Sequence, residues 1–288
     1  MESVPCIICG SNSHKPFASI TDRLNNQSSE VFQLVKCQCE FIYLSPRPSI
    51  DQIQSYYDNS NYQPHSRTNS LFNFGYKLVQ RFTLKWKYNK ILPLKGSGTL
   101  IDIGGGQGEF CNYMQNKKWN TTLLEPNYSD VKINNFKTIT SLDELKNNDK
   151  FDIITLWHSL EHIHNVDALL LKLHSYLSDD GYLIIAVPNV NAIDRKYYGH
   201  NWAPFDAPRH LYHFSPKTLT ELLENYKFQL ISQYSMLQDT PYNVILSEKK
   251  KTIFTLFRLG YFAVTFLFKI MKRGVDISSS FMVICKKQ

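Results

Sequence analysis

Residues 100–110 read Leu-Ile-Asp-Ile-Gly-Gly-Gly-Gln-Gly-Glu-Phe, and their spacing is that of a ligand-binding turn. Leu100, Ile101 and Ile103 make a short apolar run suited to a buried parallel strand, and Glu109, Phe110, Tyr113 and Met114 begin a helical pattern. Between them, Gly104, Gly106 and Gly108 allow a tight reversal and leave bare backbone that a ligand can approach. A dinucleotide fingerprint opening at Gly104 needs its third glycine at position 109, which is Glu109. The pattern is instead G-x-G-x-G, with the acid Asp102 just ahead of it. One strand-helix-strand unit later, Thr121 to Glu125 reads as a second strand ending in a carboxylate. An acid at that point can accept hydrogen bonds from both hydroxyls of an adenosine ribose.

Two further stretches concentrate ionisable groups. Phe151 to Trp157 reads as a buried strand and runs into His158-Ser-Leu-Glu161-His162. H-x-x-E-H on a helix is also a metalloprotease signature, which needs both histidines on one helical face and a third ligand. Its position directly after a strand in a βα series favours a ligand-contacting loop at a strand end. Residues 197–216 place Asp206, Arg209, His210 and His213 among Trp202, Phe205, Tyr212 and Phe214. Aromatic walls with a few orienting polar groups are how small-molecule pockets are built. The competing reading is a loop packed by its own aromatics, with Arg209 paired to Asp206.

Cys6 and Cys9 stand at C-x-x-C spacing ahead of Gly10, and Cys37 and Cys39 follow as C-x-C. Four thiolates satisfy one tetrahedral zinc, and such a closed site is structural. The chain between the pairs is polar and needs a staple of this kind to fold. The short second pair leaves a stretched site, or His14 as a ligand, as alternatives.

At this point the chain resembles the class I S-adenosylmethionine-dependent methyltransferases, through the 100–110 turn and Glu125, F-D-x-x-x-x-W-H-x-L-E-H at 151–162, and W-x-x-x-D-x-P-R-H-L-x-H-F at 202–214. Lys36 to Pro48 is similar to the end of a cysteine ribbon that precedes many bacterial methyltransferases, with Glu40 for the usual glycine and Ser45 for the usual asparagine. Ubiquinol- and menaquinol-type methylases and deoxysugar C-methyltransferases are the related kinds. The resemblance implies S-adenosylmethionine held by Asp102, Gly104, Gly106, Gly108, Glu125 and Trp157. It implies acceptor contacts from Trp202, Asp206 and Arg209, and a base among His158, His210 and His213, since imidazole titrates near neutral pH. Tyr62 and His65, in the segment ahead of the sheet, are candidate cofactor contacts. Asp143 is a weak candidate for the adenine, because Ser141 and Glu144 explain it as a helix start. Gly105 stands where the family usually has cysteine. It keeps a non-catalytic adenosyl-binding protein as a rival, beside a nicotinamide oxidoreductase of different glycine spacing.

The elements that must position these groups follow from pattern. An α/β chain is expected, with a Rossmann-like seven-stranded methyltransferase sheet and a small N-terminal cysteine (zinc-ribbon) module. The expected division is residues 1–48 for the module, 49–95 for a helical lid or linker, and 96–288 for the catalytic domain. Helices are expected over Leu71 to Leu92, closed by Pro93, and over Val166 to Leu177. A turn is expected at Asp179-Asp180-Gly181, and late strands at Phe228 to Met236 and Ser280 to Cys285. With 288 residues, 43% hydrophobic and 20% charged, the chain is that of a folded globular protein. Its net charge of +7 is spread out, so no nucleic-acid partner is implied. Six cysteines without a visible leader suggest a reduced, cytoplasmic setting. Residues 252–273 are apolar nearly all round, with Lys249 to Lys251 and Lys272-Arg273 at the flanks. Arg258 and Lys269 interrupt them too often for a spanning helix. A pocket roof, a homodimer contact and a helix lying in a membrane surface are the readings open for that segment.

Overall fold

The computed structural model describes residues 1–24, 30–57, 70–126, 136–248, 255, 257–258, 260–262 and 277–288. Most of 252–273, and Tyr62 and His65, lie outside the described residues. Among the described residues no helix is long and apolar enough to cross a membrane.

The N-terminal strands are β1 (His14–Thr21), β2 (Val31–Cys37) and β3 (Ile42–Leu44), followed by helices α1 (Ile50–Tyr57) and α2 (Ser70–Ile91). The alternating series then runs β4 (Thr99–Ile103), α3 (Glu109–Gln115), β5 (Asn120–Leu124), β6 (Lys137–Ile139), β7 (Phe151–Trp157), α4 (Val166–Tyr176) and β8 (Leu177–Pro188). It ends with α5 (Ile193–Tyr198), β9 (Tyr212–His213), α6 (Pro216–Asn225), β10 (Phe228–Ser235), α7 (Asp239–Ser247) and β11 (Ser280–Lys287). Seven strands form one sheet in the order β10-β11-β8-β7-β4-β5-β6. β4 to β8 run parallel, and β11 enters antiparallel between β8 and β10. Leu100, Ile101, Ile103, Ile153, Ile154 and Leu156 are all buried, as strands covered on both faces require.

The chain order reverses between β4 and β7, so a crevice opens beyond the carboxyl ends of those two strands. One local expectation is corrected. Residues 179–181 do not break the chain: they belong to β8, and an irregularity in the β7–β8 register absorbs them. His158 to His162 is a strand-end segment, as its position favoured, and not the regular helix that a metalloprotease motif needs. His158 takes a left-handed φ of 54°, and only Leu160–His162 form a short 3-10 turn.

A second sheet runs β1-β2-β3-β9. Its fourth strand comes from the 197–216 stretch, with Ile42 opposite His213 and Tyr43 opposite Tyr212. Phe41 fills the junction, its ring centroid 5.8 Å from Tyr43 and 5.4 Å from Phe214. The apolar core is continuous from these residues into the large sheet through Leu211, Leu160 and Ile185.

Candidate active site

The glycine turn fits the ligand its spacing implies. Gly104, Gly106 and Gly108 all hold positive φ, at 68°, 57° and 72°. A side chain at Gly106 would meet nothing within 4 Å, so that face of the turn is open to a ligand. The Gly106 amide donates to Glu125 Oε2 at 2.9 Å, which brings the carboxylate at the end of β5 to the turn. Gly105 is required for a different reason. A Cβ there would come within 2.4 Å of Asp102 Oδ2 and 2.6 Å of Leu123 Cδ1. Asp102 lies beneath the turn, 1% exposed, and accepts a 2.6 Å hydrogen bond from Thr155 Oγ1. Burial pushes its carboxyl up to about 6. Its contribution is to the shape of the turn. Trp157, at the end of β7, is buried and packs edge-on against Phe110 at 5.4 Å.

His158 follows at the carboxyl end of β7. Ser159 beside it donates to the Ile103 carbonyl at 2.8 Å and sits under Gly104, so His158 is held next to the turn. Its Nε2 lies 2.9 Å from Asp239 Oδ2 and its Nδ1 3.6 Å from Glu161 Oε1. Burial opposes the charge, but the two carboxylates outweigh it and raise the imidazole to about 10. Glu161 is fully buried, and neither of its oxygens accepts a hydrogen bond. Burial would raise its carboxyl, yet His158 and the fields of His210 and His162 hold it at about 2.

A cavity of about 450 Å³ adjoins these groups, lined by His158, Glu161, Asp206, His210, Asp239 and Tyr242 among others. Of the residues expected in the acceptor wall, Asp206 and His210 reach it. Arg209 and Trp202 do not, and the expectation of a substrate contact from either is corrected. Arg209 is fully buried, its guanidinium bound to Asp22 at 2.7 and 3.2 Å, to Asp206 at 2.9 and 3.1 Å, and to the Tyr56 carbonyl at 3.2 Å. Trp202 is 1% exposed, donates to Asp194 Oδ2 at 2.8 Å and packs on Phe205. His213 is likewise corrected as a base. It lies in β9 against Phe205 rather than in the cavity lining, and burial lowers it to about 3.

The four expected thiols come together. Cys6 Sγ lies 3.5 Å from Cys39 Sγ and Cys9 Sγ 3.4 Å from Cys37 Sγ, and all four lie within 4.8 Å of one another. Gly10 at φ 70° and Glu40 at φ 73° make the two turns, so Glu40 adopts the conformation for which glycine is usual. His14 lies opposite Cys37 in the β1–β2 pair, but its ring packs against Tyr43 and it is not among the clustered ligand atoms.

Sequence reasoning missed Asp239, Asp22 and Lys87. Asp239-Thr-Pro is a readable helix start, but its arrival beside His158 is a tertiary fact. Asp22 comes from the N-terminal module, 187 residues from its partner Arg209. Lys87 projects from α2 over Trp157, 4.2 Å from the ring centroid, and burial lowers its pKa. One lysine among several in an amphipathic helix gave no signal.

Comparison with known proteins agrees with this geometry. Residues 77–233 match a family described as a methyltransferase domain. A ubiquinone biosynthesis O-methyltransferase of Rickettsia bellii is 23% identical over 167 residues, covering 51% of this chain and 66% of that protein, just under two thirds of its length. The (S)-tetrahydroprotoberberine N-methyltransferase of Eschscholzia californica is 24% identical over 135 residues, covering 41% of this chain and 36% of that protein. Among solved structures, a SAM-dependent methyltransferase from Thermotoga maritima superposes with a TM-score of 0.51 at 16% identity, over 76% of this chain and 96% of that one. With its G-x-G-x-G turn, its strand-end acid and its seven-stranded sheet, the chain belongs to the methyltransferase domain family and has the Rossmann-like fold of the S-adenosylmethionine-dependent methyltransferases.

Proposed function

We propose that this methyltransferase methylates an oxygen of a small-molecule acceptor bound in the 450 Å³ cavity, with His158 as the base. The observation that carries the reading is the placement of His158. It stands between the open glycine turn and the cavity, oriented by Asp239 and Glu161. S-adenosylmethionine, once bound, supplies an activated methyl group. The chain's own work is to align the acceptor with it and to take the acceptor's proton. Gly104 to Gly108 offer bare backbone and Glu125 a carboxylate for the cofactor. Asp239 fixes the His158 ring through Nε2 and strengthens it as a base. A base of high proton affinity suits a weakly acidic hydroxyl, as in a phenol or quinol, and the similarity to ubiquinone biosynthesis O-methyltransferases of Rickettsia supports the same acceptor class.

The four N-terminal thiols are assigned, in the same reading, to a structural zinc. Their separations suit thiolates about 2.3 Å from a shared ion, and four protein ligands leave no open position for chemistry.

Calorimetric titration with S-adenosylhomocysteine, and with NAD in parallel, tests the cofactor. The adenosyl ligand should bind the more tightly, and Glu125→Ala should weaken it about tenfold or more. A preference for NAD would overturn the reading.

A further inference from the structure

Glu161, His162 and His210 each offer one ligand atom, and these atoms all lie within 4.8 Å of one another. Three features separate this cluster from an ordinary buried polar group. First, Glu161 is fully buried and neither carboxylate oxygen accepts a hydrogen bond; its ion-pair contact with His158 Nδ1 is long, at 3.6 Å from Oε1, which leaves the carboxylate with lone pairs to offer. Second, both histidines are prepared alike. His162 Nδ1 lies 3.0 Å from the Arg209 carbonyl and 2.9 Å from the Tyr57 hydroxyl, which can accept as well as donate, and His210 Nδ1 lies 2.8 Å from the Pro204 carbonyl. A carbonyl cannot donate, so each Nδ1 carries the proton and each Nε2 keeps its lone pair. That is how metal-binding histidines are set by the groups behind them. Third, the two segments are laced together, because the Leu211 amide donates to the Glu161 carbonyl at 2.8 Å. The imidazole rings meet edge to face at 4.5 Å.

We propose that Glu161, His162 and His210 form a divalent-metal site in the wall of the acceptor cavity, where the ion takes two neighbouring oxygens of a chelating acceptor such as a catechol or an enediol. Two imidazoles and one carboxylate suit a first-row divalent ion and leave coordination positions open. Glu161 and His210 line the cavity, so those positions face the acceptor. Metal–ligand bonds of about 2.1 Å would draw the three side chains to roughly 3 Å of one another. Bound to the ion, an acceptor hydroxyl becomes more acidic, and His158, on the other side of Glu161, is in place to take its proton. The metal site stands on the geometry alone, whereas the acceptor class rests on the methyl transfer proposed above.

Mn²⁺ is the probe of choice, because this hard ion leaves the N-terminal thiolates alone. Full-length protein freed of loosely held metal by dialysis is titrated with Mn²⁺, and free Mn²⁺ is read by electron paramagnetic resonance. One ion per chain is expected. Affinity should fall about tenfold or more in Glu161→Gln and in His210→Asn, and stay unchanged in His174→Gln, a histidine of α4 outside the cluster. Thermal unfolding of each variant shows that it is folded; should Glu161→Gln not fold, His210→Asn carries the test. Catechol, but not phenol, should then lower the water-proton relaxivity of the Mn²⁺ protein by displacing bound water. No binding at millimolar Mn²⁺, or binding that both variants leave intact, overturns the site. A site that catechol and phenol affect alike overturns the chelating acceptor. S-adenosylhomocysteine titrated into the same preparation separates the two readings: if it binds while Mn²⁺ does not, only the metal site falls.

Discussion

His158 Nε2 lies 2.9 Å from Asp239 Oδ2, and this contact joins the end of β7 to the start of α7 in the wall of the cavity. Together with Glu161 it keeps the imidazole protonated to about pH 10. A base works only when deprotonated, so kcat/KM should climb with pH toward that value. Asp239→Asn removes one of the two carboxylates. The rising limb should move to lower pH, and kcat should fall by roughly tenfold or more as the ring loses its orientation. Profiles of both proteins against pH check this; an unshifted limb with an unchanged rate would remove His158 from the mechanism.

Arg209 should govern stability rather than acceptor binding. Its guanidinium is fully buried between Asp22 and Asp206, and deleting it leaves two carboxylates facing one another. Breaking a buried pair costs about 3–5 kcal/mol. Urea unfolding of Arg209→Ala should show a loss of that order. A variant of native stability with a raised acceptor KM would restore the substrate contact that the structure argues against.

Acid should destabilise the protein from an unusually high pH. His213 is 3% exposed and neutral in the fold, held at about 3 against an ordinary value of about 6.5. The unfolded chain therefore takes up this proton first, so stability is fully present above about pH 6.5 and drains away as pH falls toward 3. By pH 5 the loss from this one group is on the order of 2 kcal/mol. His213→Phe keeps a ring against Phe205 and should flatten that slope, which denaturant unfolding at pH 7 and pH 5 would measure.

Zinc removal should be felt in the active site. The thiols stand at the ends of strands that share a sheet with β9, and β9 is only two residues from His210. Stripping the metal with a strong chelator should lower the melting temperature and raise the acceptor KM. Metal analysis of untreated protein should give about one zinc in the thiolate site. A metal-free protein that melts at the same temperature would refute the assignment.

Much of this was legible in the sequence wherever a signal is local. The glycine spacing, the strand-end Glu125, the two cysteine pairs and the order of the strands all depend on neighbours within a few residues. The acceptor wall was read less well. Trp202, Arg209 and His213 have the residue types of a binding site, and those types serve equally to satisfy buried partners. What separates the two uses is the arrival of Asp194, Asp22 or Phe205 beside them, which no spacing announces. Glu161 and His162 were visible as a motif, but their third companion, His210, comes from a loop about fifty residues on and meets them only in the fold.

The pairing of β3 with β9, and of Asp22 with Arg209, also sets a timetable for the nascent chain. The partners of the second contact are 187 residues apart. At about 5–20 residues per second, a ribosome takes roughly 10–40 seconds to cover that distance. For that interval the cysteine strands have left the tunnel while β3 presents an unpaired edge and Phe41 lacks the covering of Tyr212 and Phe214. An unpaired apolar edge invites association with other chains. A metal bound early by the four thiols would hold β1 to β3 together through the wait, so the availability of zinc during synthesis should decide how much of the enzyme is recovered folded and how much is lost to aggregates.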